Sequence, residues 1–125
     1  MTEYAIKLEL FEGNGGERRA DGTSPDFARD GICAWMHYAN EDRPLRVGDR
    51  FRYPEDLGRL CPWLLDGLTG VIRALEHGGT LARRYRGTPY EKEIDPAGVT
   101  TEYVRCIDPT ASGIVVKVIR TALEP

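Results

Sequence analysis

The apolar positions of residues 60–79, LCPWLLDGLTGVIRALEHGG, fall at Leu64, Leu65, Leu68, Val71, Ile72 and Leu75. That spacing is the stripe of a helix with one buried face. Asp66, Arg73 and Glu76 lie elsewhere on the wheel and should meet water. Pro62 suits the first helical position, where no backbone N–H is needed. Cys61 then stands at or next to the N-cap. Gly78 and Gly79 end the element, since glycine readily takes the left-handed conformation past a helix C-terminus. His77 sits in the last turn, where the helix dipole favours a cation. The spacing therefore predicts a helix over about 62–77. Gly67 and Gly70 interrupt it, each at a cost of about 1 kcal/mol against alanine. Their expected compensation is close approach of another backbone.

Around this helix the pattern changes to a period of two. In residues 3–11, EYAIKLELF, Tyr4, Ile6, Leu8 and Leu10 alternate with Ala5, Lys7 and Glu9, as in a half-buried strand. The run 31–38, GICAWMHY, reads as a short strand. In LRVGDRFRYP, Val47, Phe51 and Tyr53 are the apolar members of another, with a bend at Gly48-Asp49. VTTEYVRCI (99–107) and GIVVKVIRT (113–121) are joined by the turn-rich DPTAS and form a hairpin. The second is apolar on both faces, so it should be central or well covered. Residues 12–30 are rich in glycine and charge and have no period. They are expected to be a flexible loop, either a lid or slack. The sum is an α+β fold: a mainly antiparallel sheet of about five strands with one main helix packed on one face.

Composition narrows the class. A chain of 125 residues is one domain of 1–125, large enough for a core without disulfides. A net charge of −3 argues against a nucleic-acid partner. No apolar run reaches bilayer length, so no membrane partner is expected. The start MTEYAIKLEL has no basic region before an apolar block, and the 3 cysteines are odd in number and far apart. Both point to a reducing, cytoplasmic setting with free thiols or a metal site.

Taken together, VGDRFRY, LCPWLLDGLTGVIRALEHGG and VRCIDPTASGIVVKVIRT resemble a family of small, uncharacterised bacterial and archaeal proteins. Its members resemble one another in a GD-containing strand, a CP helix ending in GG, and a CPDP turn before a closing apolar strand. The matches here are Val47-Gly48-Asp49, Cys61-Pro62, Gly78-Gly79, and Cys106 with Asp108-Pro109, over roughly residues 47–120. Ile107 stands where the pattern has proline. The resemblance implies the architecture and no activity.

Candidate chemistry falls into four groups. Thiolates select zinc, copper(I) or iron–sulfur centres, so Cys33, Cys61 and Cys106 are candidate metal ligands if strand ends and helix start converge. No CxxC or HxxxH spacing supports them, and scattered cysteines are more often core residues. Cys61 is also a candidate nucleophile or redox thiol, because a helix N-terminus lowers a thiol pKa. Its base would have to be His37. His77 lies about 24 Å further along the helix at 1.5 Å per residue. The loop with Arg83, Arg84, Tyr85, Arg86 and Tyr90 suits a carboxylate or phosphate, or is a solvated charged loop. Finally, Trp35, Tyr38, Phe51, Tyr53 and Trp63 suit an apolar cleft or the core. The leading expectation is a small organic ligand bound between the helix and the sheet by Trp35, His37, Phe51, Tyr53, Cys61, Trp63, Arg84 and Tyr85. Whether a reaction is catalysed stays open. A metal- or redox-linked thiol protein using Cys61 and Cys106 is the second reading. A homodimeric interaction module is the third.

Overall fold

The computed structural model describes residues 3–13, 45–80, 83–107 and 114–123. Strand β1 is Tyr4–Glu12, β2 is Arg50–Arg52, helix α1 is Pro62–Glu76, β3 is Val99–Arg105 and β4 is Val115–Ala122. The strands form one antiparallel sheet in the order β2-β1-β4-β3. The fold is α+β, as the periodicities predict. Among the described residues there are four strands where about five are expected. The expected strand 31–38 lies outside the described residues, as does most of the expected loop 12–30.

Register explains the packing. Three rows cross the sheet on the helix side: Ile6, Arg120 and Thr100; Phe51, Leu8, Val118 and Glu102; Leu10, Val116 and Val104. Leu64, Leu68, Ile72 and Leu75 of α1 are buried against these rows. Burying four such side chains contributes about 1.5–3 kcal/mol each. That outweighs the two internal glycines, about 1 kcal/mol apiece. Strand β4 is central, as its apolar run requires. Its second face is covered only in part: Val115 is buried, while Lys117 and Ile119 remain half-exposed.

The helix ends where its signals place it. Cys61 is the N-cap and Pro62 opens the first turn. Gly78 has φ +83°, with its N–H donating to Leu75 O at 3.0 Å and the Gly79 N–H to Ala74 O at 2.8 Å. These two bonds make a Schellman motif. The expected backbone approach at the internal glycines does not occur. A Cβ on Gly67 would meet only the Val104 side chain, at 3.2 Å, and one on Gly70 would meet open space. Gly70→Ala should therefore stabilise the protein by about 0.5–1 kcal/mol in urea unfolding, through helix propensity alone.

The strand expected from Leu45 to Tyr53 is shorter. Arg46 to Asp49 closes a turn, with the Asp49 N–H on Arg46 O at 3.0 Å, the Arg46 N–H on Asp49 Oδ2 at 2.9 Å, and Gly48 at φ +97°. Val47 is consequently not an inward strand residue but 59% exposed. Among the described residues no helix is long and apolar enough to cross a membrane.

Candidate functional site

Residues 83–95 run without regular structure along the outer edge of β3. They take up N–H and hydroxyl groups that an edge strand would otherwise leave to solvent. The Thr101 N–H donates to Glu93 O at 2.9 Å, the Glu93 N–H to Thr101 Oγ1 at 3.0 Å, and the Asp95 N–H to Thr100 Oγ1 at 3.1 Å. The Tyr103 N–H, next along the same edge, is taken by the carboxylate of its neighbour, Glu102 Oε1, at 3.0 Å.

One buried ion pair pins this segment. Lys92 Nζ lies 2.7 Å from Glu102 Oε2, with side chains 1% and 3% exposed. That separation is typical of a charge-assisted contact. The ammonium also sits 4.8 Å from the centre of the Tyr85 ring. Tyr85 is held in the left-handed region at φ +53°. Its carbonyl accepts from Thr88 Oγ1 at 2.7 Å, and the Arg84 carbonyl accepts from the Lys92 N–H at 2.8 Å. A non-glycine residue pays about 1–2 kcal/mol for that conformation, so these bonds fix the tyrosine where it stands.

On the face of the sheet opposite α1 the segment meets the aromatic side chains of β1 and β3. Phe11 and Tyr103 stack edge-to-face at 4.7 Å, and Tyr90 closes the triangle at 5.8 Å from Phe11 and 5.6 Å from Tyr103. Tyr90 OH donates to Glu12 Oε1 at 2.6 Å and accepts from Arg105 Nη2 at 3.0 Å. The bond to Glu12 holds the Tyr90 phenol above its ordinary pKa, because the phenolate would face that carboxylate. Burial does the same for Tyr103, with Glu93 adding to it. Both phenols are thus proton donors at neutral pH. Beside them lies a cleft of about 210 Å³ lined by Tyr85, Thr88, Tyr90, Tyr103, Arg105 and Val115. Tyr85 also borders a second, more polar depression with Arg83, Arg84 and Arg86. Among the described residues, none of these three arginines makes an ion pair with a carboxylate.

The described residues expected to form a helix–sheet pocket fall partly in the core and partly elsewhere. Phe51 and Cys61 are buried members of the core. Tyr53 packs against that core, and burial together with a hydrogen bond to Glu76 raises its pKa. Trp63 is 52% exposed. Cys61 and Cys106 are buried in the same core cluster. Among the described residues no three His, Cys, Asp or Glu side chains could hold a metal ion together. Cys33, Trp35 and His37 lie outside the described residues. Of the expected set, only Arg84 and Tyr85 border the depressions on the β3 side.

Thr88, Tyr103, Arg105 and Val115 were not among the sequence candidates. The available signal was alternation in β3: Val99, Thr101, Tyr103 and Arg105 share the face opposite Val104. Glu12 was read as the start of a loop, yet it ends β1 and orients Tyr90.

No family model, no curated protein and no solved structure matches this chain.

Proposed function

We propose that this protein binds a small ring-containing organic molecule in the cleft at the outer edge of β3. The convergence of Tyr85, Tyr90 and Tyr103 with Arg105 on about 210 Å³ of space carries the reading. An apolar cavity of about 150 Å³ accepts benzene. Drug-sized ligands fill clefts of about 300 Å³ and more. The space therefore suits one substituted ring. Phenol faces and edges supply the apolar walls, and offset or edge-to-face contact adds about 0.5–1.5 kcal/mol per aromatic pair. The Thr88 hydroxyl and the Arg105 guanidinium supply the few polar groups that orient such a ligand. The lining groups bind and align the ring.

Phenol serves as the probe. Titrated into labelled protein, it should produce saturable amide shifts at Tyr85, Thr88, Tyr90, Tyr103, Arg105 and Val115. Loss of those shifts in Tyr103→Ala would be expected. Shifts centred instead on Phe51, Cys61 and Trp63 would move the site to the helix side of the sheet. Absence of any saturable shift would end the cleft reading.

A further inference from the structure

Resting on that reading of the cleft, we infer that the ligand's ring carries a phosphate, held by the arginine cradle on the far side of Tyr85. Four observations lead there. Tyr85 borders both depressions, so a ring against its face places a substituent beside Arg83, Arg84 and Arg86. All three guanidiniums are exposed and, among the described residues, without a carboxylate within ion-pair distance. Three like charges within four positions repel one another, in a chain whose net charge is −3. Glu91 sits in the same loop, but its Oε1 accepts the Gly87 N–H at 3.1 Å, which shapes the turn. Tyr85 is held at φ +53°, the conformation that presents it between the two depressions.

Phosphate fits this cradle better than carboxylate. One guanidinium satisfies a carboxylate by a two-pronged bond, whereas a phosphate monoester presents three oxygens and up to two negative charges. Three arginines around one anion match the larger charge. The class assigned is therefore an aryl phosphate: ring among Tyr85, Tyr90 and Tyr103, phosphate beside Arg84 and Arg86.

The test uses the full chain and three probes: phenyl phosphate, phenol and inorganic phosphate, each titrated at low and high salt. Phenyl phosphate should bind about tenfold tighter than phenol at low salt, the size expected of a charge-assisted contact. That advantage should shrink at high salt, because exposed charges are screened. An Arg84→Ala/Arg86→Ala variant should bring phenyl phosphate down to the level of phenol while leaving the phenol shifts in place, which also shows that the variant is folded. Equal binding of phenol and phenyl phosphate would overturn the phosphate assignment and leave the cleft standing. Inorganic phosphate binding as tightly as phenyl phosphate would overturn it too, since the ring would then contribute nothing. Failure of both ring compounds to bind would remove the cleft reading and this inference with it.

Discussion

Lys92→Met should destabilise the protein by about 3–5 kcal/mol in urea unfolding, because it leaves the Glu102 carboxylate buried without its counter-charge. Glu102 is 3% exposed and its Oε2 faces only the ammonium, 2.7 Å away. An exposed pair would be worth about 0–1 kcal/mol, and burial is what separates the two cases. The partner substitution behaves differently. Glu102→Gln keeps an oxygen for the Tyr103 N–H, now accepted by Oε1 at 3.0 Å, and leaves Lys92 facing a neutral amide. It should cost less than Glu102→Met, which also orphans that N–H. In the double variant Lys92→Met/Glu102→Gln neither charge remains buried, and stability should recover toward wild type. A loss under about 1 kcal/mol for Lys92→Met would mean that water reaches the pair. Function should follow the same bond. Lys92 Nζ underlies the Tyr85 ring, so the substitution loosens that wall of the cleft, although the backbone bond from the Lys92 N–H to the Arg84 carbonyl remains. The phenol shifts at Tyr85 and Thr88 should then vanish while those parts of the protein remote from β3 stay folded.

That pair marks where periodicity stops being informative. The helix, its two ends and the hairpin of β3 and β4 are legible because each rests on local chemistry: a 3.6-residue stripe, a proline at the first turn, a glycine at the end. Glu102 is not. In VTTEYVR it reads as a solvent residue, and only a lysine ten positions earlier, folded back under the strand edge, makes its burial tolerable. Arg120 misleads in the same way inside a mostly apolar strand. The candidate site was half-legible. The arginines and Tyr85 stood out as a loop with anion-binding chemistry, but the loop's position against Tyr103 depends on strand order, which no local pattern encodes. The aromatics of the expected helix-side pocket split instead between core and surface: Phe51 fills a sheet row, and Trp63 faces outward. Val47 misled because its neighbour Gly48 turns the chain before the strand begins.

Arg120→Ala should cost about 3 kcal/mol, the second large effect, and the comparison with Arg120→Met separates its causes. The guanidinium is 1% exposed, with no acidic partner among the described residues. Its charge is met by dipoles instead. Nη1 donates to Leu75 O at 3.0 Å and Gly79 O at 2.8 Å, both at the negative end of α1, and Nη2 donates to Thr100 Oγ1 at 3.0 Å. The Tyr4 ring lies 4.3 Å from the guanidinium carbon. Hydrogen bonds to a charged group are worth about 1.5–3 kcal/mol each, and a desolvated cation–π contact about 2. Against them stands the several-kcal/mol cost of burying the cation, raised by Nε, which has no hydrogen-bond partner among the described residues. After substitution the acceptors are not all stranded. Leu75 O still receives the Gly78 N–H, and Gly79 is exposed to water. The loss in Arg120→Ala is therefore mostly the void and the severed tie between helix end and sheet. Arg120→Met refills most of the volume and should recover about half of the loss, leaving the helix end without its cation. Amide exchange at Gly78 and Gly79 should then rise in both variants. If Arg120→Met matched wild type in stability and exchange, the dipoles would only be cancelling the burial of the charge, and the arginine would fix the angle at which α1 meets the sheet without stabilising it.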